Sequence, residues 1–418
     1  MALKGLFFYL FTRLLIQKPF CICIQKIICK CIEIRIQKRL PFSKLVYVLL
    51  CKLICKNKKG EDLKVNAQRI EHVAIDLGYG FVKAISSTTG KRVVFPSLVG
   101  KGYDLGIAGM FAEKHDDESN IYVEYNKNDY FVGDLAKKES RTVSRIFEQE
   151  RFGHLYTKIL LNTGIQLVTE GKVDQINLST GLPLDFYKAQ RKDFQQSLLG
   201  LQPRVKWKSG ELKGKELRVN INNALVFPQG ASAVFSALIN HEGKFTYPEL
   251  MDAGNLIALI DIGFRTTDYV VVEIQEDSSF VPKVKLSGTI DDGVINLHQQ
   301  IKEYYKQATG GADLNEFHMS RILKNGYVTY KGERMDFREM IESSKNSIAT
   351  NISDRLKAVW VEEADLFEAI FLAGGGGQLF EQSIQPHFAN RIKVVKESQF
   401  ANAIGYLRLG KRLFNRVS

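Results

Sequence analysis

No cysteine occurs after Cys55. All six lie at the start of the chain: Cys21, Cys23, Cys29, Cys31, Cys51 and Cys55. A disulfide framework for residues 61–418 is therefore excluded. Uncharged runs are short. Lys or Arg interrupts every apolar stretch before the roughly 18 residues that a membrane span needs, so no transmembrane span is expected. The seven histidines, at 72, 115, 154, 241, 298, 318 and 387, form no ligand pair at helical spacing, which argues against a histidine-held metal. No G-x-x-x-x-G-K-[ST] loop is present, which excludes a Walker-type phosphate site.

Basic charge is also missing from most of the chain. The first 60 residues hold 13 Lys/Arg and one acid, Glu33. Removing them from the totals of 58 bases and 46 acids leaves 45 of each. The excess of +12 thus belongs to an N-terminal extension, placed at residues 1–70, and the remainder is neutral. Three readings of the extension compete. One is a basic amphipathic segment for an anionic membrane or nucleic acid. Another is a metal site at Cys21-x-Cys23 and Cys29-x-Cys31, although these are not the usual zinc spacings. The third, which the odd Cys/Ile/Lys composition favours, is a non-native start; the absence of Met between Met1 and Met110 argues against it. No clean signal-peptide cleavage site follows the first apolar stretch, and a cytoplasmic location is expected.

Beyond residue 70 one phrase occurs twice. The first copy runs from Asp76 through Leu-Gly-Tyr-Gly to Phe81-Val-Lys83. The second runs from Asp261 through Ile-Gly-Phe-Arg-Thr-Thr to Asp268. Each is an apolar strand ending in Asp, a turn through Gly and a second apolar strand. One such hairpin is an ordinary turn signal. Two suggest matched lobes facing each other across a cleft. Gly78, Gly80 and Gly263 would let a turn backbone approach a ligand closely, and free N–H groups in such turns form an anion nest. Asp76 and Asp261 would repel phosphate unless a hard cation, Mg²⁺ with its water shell, lay between them. Lys83 offers a mobile positive charge, and Thr266 and Thr267 offer hydroxyl donors. Tyr79, Phe264, Arg265 and Asp268 complete the two loops.

Two further elements fit a phosphate ligand. An apolar run from Ala369 ends in Gly374, Gly375, Gly376 and Gly377 before an expected helix at 378–384, which suggests a backbone lying flat against a ligand. Gln229 follows Val226-Phe-Pro at the hinge into an expected helix at 230–239. A neutral amide there can orient a water without repelling phosphate; an ordinary turn residue is the competing reading.

Together these features resemble the actin/DnaK/sugar-kinase ATPase fold, and within it the ParM/StbA-type bacterial actins that segregate plasmids. The resemblance covers about residues 70–418. Its five parts stand in order at 76–83, 227–233, 261–268, 372–377 and 401–410, and Ser179-Thr-Gly-Leu-Pro183 is similar to that group. Phe81 and Phe264-Arg265 depart from it.

The resemblance implies an α/β, ribonuclease H-like, two-domain architecture. Domain I would comprise 71–182 plus 401–418, and domain II 183–400. It implies ATP, or GTP, with Mg²⁺ held by Asp76 and Asp261 through water. Gln229 and Asp261 would position the attacking water, with Asp268 a weaker candidate. It also implies an adenosine-contacting helix carrying Glu342 and Lys345. The helix itself is independently expected over 337–360, because Ile341, Ile348, Ile352, Leu356 and Trp360 recur at helical spacing. Glu342 and Lys345, three apart on one face, read equally as a solvated ion pair.

The implied function is a nucleotide-driven, self-assembling filament coupled to DNA through a DNA-binding partition adaptor. Direct DNA binding by the neutral core is not expected. A small-molecule kinase and a static cell-division actin of the same fold are the alternatives. A DnaK-type chaperone would need a peptide-binding domain, and only eight residues follow Gly410. Other expected helices lie at 134–147, 186–199 and 293–307. A loop or edge hairpin is expected over 204–215 and an edge strand over 116–128.

Overall fold

The computed structural model describes residues 70–417, apart from 105, 107–117, 141–142, 146–152, 202–203 and 390. The readings made for residues 1–69 lie outside the described residues. Those described belong to one unit, Gln68–Ser418.

In chain order the first half contains β1 (Glu71–Leu77), β2 (Phe81–Ser86), β3 (Arg92–Pro96), β4 (Val99–Lys101), β5 (Ile121–Tyr125), β6 (Asn128–Val132), α1 (Asp134–Glu139), β7 (Val143–Ser144), α2 (Leu155–Thr169), β8 (Gln175–Leu182), α3 (Leu184–Leu199), β9 (Arg204–Trp207), β10 (Glu216–Arg218), β11 (Asn220–Pro228) and α4 (Ala231–Leu238). The second half contains β12 (Leu256–Ile262), β13 (Thr267–Ile274), β14 (Phe280–Pro282), β15 (Gly288–Ile290), α5 (Val294–Ala308), α6 (Glu316–Asn325), β16 (Tyr327–Tyr330), β17 (Glu333–Asp336), α7 (Arg338–Trp360), β18 (Phe367–Ala373), α8 (Gly375–Ile384), β19 (Ile392–Val394) and α9 (Ala401–Val417).

Two sheets repeat one another strand for strand. The first has the order β11-β8-β1-β2-β3, and the second β19-β18-β12-β13-β14 with β15 also on β13. In both, a central strand pairs in parallel with one neighbour and antiparallel with its hairpin partner. The central strands, Val73-Ala-Ile75 and Ile257-Ala-Leu-Ile260, are buried on both faces. Continuous apolar runs suit that position, because helices cover both sides of such strands. This is the expected actin-like, two-domain α/β fold.

The core divides accordingly. One cluster holds Ile75, Val82, Ile159, Ile165 and Leu178 of the first half. Another packs α5, α7 and α8 against the second sheet through Leu297, Ile352 and Phe380. A third sets α4 against the opposite face of that sheet, through Val234, Leu259, Val270 and Phe371. Helix α9 then reaches the first sheet, where Ala403 and Ile404 meet Ile85. Helices α4 and α9 come very close: a Cβ on Gly405 would lie 2.0 Å from the Ser232 carbonyl oxygen.

The hydrogen bonding changes sheet after Pro228 rather than at 182/183. Strand β11 pairs along its length with β8, from Asn220–Gln175 to Pro228–Leu182. Parallel pairing needs a crossover, and α3 supplies it. The stretch 204–218 does form an edge hairpin, but it covers β5, which is an inner strand of the sheet β10-β9-β5-β6-β4-β7. The helix expected over 134–147 ends at Glu139. Ser140 is extended, and Val143–Ser144 pair with β4 instead, so a sheet edge captures residues that local pattern assigns to helix.

Candidate functional site

Two β-turns line one cavity. In the first hairpin Asp76 is paired with Lys83, and the Gly78 N–H donates to the Phe81 carbonyl at 3.1 Å. In the second, Asp261 is paired with Asp268, and the Gly263 N–H donates to the Thr266 carbonyl at 2.8 Å. The two turns share one register and one closing hydrogen bond. Their tips touch, since a Cβ on Gly80 would fall 2.6 Å from the Phe264 Cβ.

The cavity between them is about 360 Å³. Asp76, Gly78, Tyr79, Gly80, Lys83, Gln229, Asp261, Gly263, Phe264, Thr266, Asp268, Gly374, Gly375 and Gly376 all line it. Residues distant in sequence thus converge on one space.

Its floor is acidic and buried. Asp76, Asp261 and Asp268 are 4 %, 6 % and 4 % exposed. Lys83 Nζ donates to Asp76 Oδ2 at 2.9 Å, and Gln229 Nε2 donates to Asp76 Oδ1 at 3.3 Å. Asn402 Nδ2 donates to Asp261 Oδ2 at 2.6 Å, while the Gly230 N–H donates to Asn402 Oδ1 at 3.1 Å. Asn402 thereby ties Asp261 to the start of α4. Burial, aided by the charge of Asp76, pushes the Asp261 carboxyl up to about 6 against the Asn402 hydrogen bond. Burial, aided by Asp261, pushes Asp268 up to about 7 against the Thr289 hydroxyl, which donates at 2.6 Å. Like charges held in a low-dielectric pocket raise each other's proton affinity.

Five expected site residues are placed elsewhere. Thr267 is fully buried, and its Oγ1 donates to the Asp292 carbonyl at 2.8 Å. Alternation along β13 turns it away from the cavity, so Thr266 alone of the pair lines it. Arg265 leaves the cavity, with Nε donating to Asp291 at 3.4 Å and its guanidinium 5.4 Å from the Tyr79 ring centroid. Gly377 packs on Leu372. Glu342 and Lys345 form an ion pair at 2.7 Å on the wall of a second cavity of about 260 Å³. Leu379 lines both cavities, so they adjoin.

The glycine run answers partly to the protein itself. A Cβ on Gly374, which has φ +85°, would lie 2.3 Å from the Ile262 carbonyl oxygen and 2.4 Å from Asp261 Oδ1. One on Gly376 would strike the Ile262 side chain at 2.5 Å. Gly375 has open space beyond it. Helix α8 starts at Gly375, three residues earlier than expected, which places its N-terminal N–H groups beside the cavity. Helix N-termini suit anions.

Sequence reasoning missed Asn402, Ser97, Arg145, His298 and Glu316, which also line or brace the site. Ser97 Oγ donates to the Gly78 carbonyl at 2.6 Å. Asn402 lies within the 401–410 part of the resemblance, though its role was not read from it; the other four stand in no local pattern, and only the fold brings them here.

Known proteins share this architecture. The family model described as Actin like proteins N terminal domain matches residues 74–231. That described as Archaeal actin homologue MreB-like, C-terminal, matches residues 259–386. The chain is an actin-like protein. Within that class it resembles ParM. A pCBH ParM non-polymerisable quadruple mutant is 29% identical with a TM-score of 0.73, over 82% of this chain and 99% of that one. A 15-stranded ParM filament from Clostridium botulinum is 29% identical with a TM-score of 0.74, over the same shares. The archaeal actin homolog Ta0583, in complex with ADP, is 20% identical with a TM-score of 0.66, over 82% of this chain and 100% of that one; this last likeness concerns the fold alone. No curated protein sequence matches the chain. No helix among the described residues is long and apolar enough to cross a membrane.

Proposed function

We propose that this chain is a nucleoside triphosphatase that polymerises with ATP or GTP and segregates DNA, as a plasmid-partition actin in the cytoplasm. The observation that carries this reading is the pair of hairpins in one register, with Asp76 and Asp261 buried on the floor of one cavity. The likeness to ParM filaments supports self-assembly. The DNA-binding adaptor is the partner this reading requires, because the neutral core has no charge excess for the phosphate backbone.

The residues present fit a hard divalent cation. Asp76 and Asp261 are both buried, and the charge of Asp76 raises the proton affinity of Asp261, so the cavity floor is a negative site. Among the described residues no group of three or more His, Cys, Asp or Glu is arranged to hold a metal directly. Mg²⁺ commonly binds through one or two carboxylates, waters and substrate phosphates. Asp76 and Asp261 would hold it through water, and when bound it would neutralise phosphate charge.

The chain's own groups do the rest. Gly78, Gly80 and Gly263 present turn backbone to the phosphates. Lys83 offers a cation from the strand opposite Asp76. Gln229 and Asp261 orient the attacking water. The nucleoside end extends past Gly374–Gly377 and Leu379 toward Glu342 and Lys345. Positioning of this kind contributes about 10²–10⁴-fold. Domain closure on the triphosphate would create the polymerising surface, and hydrolysis would loosen it.

Phosphate release and light scattering test the reading, with electron microscopy in ATP, GTP and ADP. Wild-type protein is expected to hydrolyse nucleotide and form filaments, and Asp261→Ala to stay folded without hydrolysis. Wild-type-like phosphate release from Asp261→Ala would refute the assignment.

A further inference from the structure

Arg145 follows β7 and is the point where three separate segments meet. Its side chain is 11% exposed. Nη1 donates to the carbonyls of Tyr79 at 3.3 Å and Gly80 at 3.0 Å, both in the turn of the first hairpin. The guanidinium lies 4.5 Å from the ring centroid of Phe264, in the turn of the second. Nη2 donates to Glu316 Oε2 at 3.2 Å, in the first turn of α6. Glu316 Oε1 meets Lys302 Nζ of α5 at 3.6 Å. Phe264 is in turn edge-on to His298 of α5, with centroids 5.1 Å apart.

One planar, always-charged fork thus grips the first half by two carbonyls and the second half by a ring and a carboxylate. Such geometry suits arginine and no other side chain. Widening the cavity at this end would break the charge-assisted bond, the cation–π contact or the carbonyl bonds. Arg145 Nε is buried and has no hydrogen-bond partner among the described residues. An unmet buried donor is unfavourable, and a contribution to stability alone gives no reason to keep it.

We propose that Arg145 is a positioning residue that couples the seating of a terminal phosphate to closure of the two halves, with Glu316 as its counter-charge. This rests on reading the cavity as a nucleoside triphosphate site. With the nucleoside toward Leu379, the terminal phosphate is the group that meets both hairpin turns at once. Arg145 holds those turns together. A diphosphate engages them less, so the latch favours the triphosphate. A ligand shifts closure only by its differential affinity for the closed form, and Arg145 supplies that difference.

The test is competition of a fluorescent nucleotide by ADP and by a non-hydrolysable ATP analogue, each with Mg²⁺. The full chain, Arg145→Lys, Arg145→Ala and Glu316→Gln are compared. Wild-type protein is expected to prefer the triphosphate. Arg145→Lys and Arg145→Ala should lose affinity for the triphosphate about tenfold, the scale of one charge-assisted bond, and for ADP less than about threefold. Glu316→Gln, a near-isosteric change at a part-exposed site, should move affinity the same way by a smaller factor. It carries the test if the Arg145 variants do not fold. Equal losses for both nucleotides, or unchanged preference in Glu316→Gln, overturn the latch alone. Wild-type protein that binds neither nucleotide overturns the nucleotide reading, and the latch with it.

Discussion

Lys83 and Asp268 occupy the same register position in the two hairpins and carry opposite charges. Lys83 faces Asp76, and Asp268 faces Asp261. The repeat is thus symmetric in backbone and asymmetric in charge. The first hairpin neutralises its carboxylate internally at 2.9 Å. The second sets two buried acids face to face, where Asp261 raises Asp268, and places no cation at that register position.

Removing the internal cation should therefore be felt twice. Lys83→Met leaves Asp76 buried with Gln229 as its only side-chain donor among the described residues. A stability loss of about 1–3 kcal/mol is expected, together with weaker nucleotide binding. Urea unfolding and nucleotide titration check it; unchanged midpoints would show that water already serves Asp76.

The acid pair sets a pH dependence. Asp261 and Asp268 are pushed up to about 6 and about 7 in the folded protein, against 3.8 unfolded. The folded state therefore binds more protons, and their contribution is complete below about pH 4 and lost as pH rises through about 6 to 7. In EDTA the melting temperature is expected to fall across that window. Asp268→Asn should flatten the fall, and Mg²⁺ with nucleotide should oppose it. A melting temperature that climbs between pH 5 and pH 8 would contradict this.

Adjacent threonines should separate binding from stability. Thr266 lines the cavity, so Thr266→Val should weaken nucleotide binding by about two- to tenfold with little change in melting, the scale of one hydrogen bond. Thr267→Val leaves the Asp292 carbonyl without its donor, and should lower stability by about 1–3 kcal/mol. If calorimetry and titration gave both variants the same profile, the facing assigned to each would be wrong.

Two glycines of α9 face different neighbours, Gly405 on α4 and Gly410 on β8. A methyl on Gly405 would meet backbone, the Ser232 carbonyl at 2.0 Å, whereas one on Gly410 would meet the Ser179 hydroxyl at 2.1 Å. A hydroxyl can rotate away and a helix backbone cannot. Gly405→Ala is expected to lose about 1–3 kcal/mol from overpacking, and Gly410→Ala less. Adding Ser179→Ala should restore part of the Gly410→Ala loss. Thermal melting of the three variants decides it.

Local chemistry was enough to mark both hairpins, the glycine run, Gln229 and helices α3, α4, α5 and α7, but not α2 or α6. The Asp76–Lys83 contact spans seven residues, and strand alternation and a short turn determine such a pair wherever the hairpin goes. The actin-like fold was read from a resemblance carried by five such parts in order. Other features depend on contacts between segments far apart. Asn402 meets Asp261 across 141 residues, Gln229 meets Asp76 across 153, and Arg145 meets Glu316 across 171. Membership of β11 in the first sheet, the inner position of β5 and the split between Thr266 and Thr267 are also products of packing. A residue's neighbours along the chain set its backbone preference. What its side chain touches depends on which distant surface the core brings against it, and that choice was made only when the two sheets had closed around their helices.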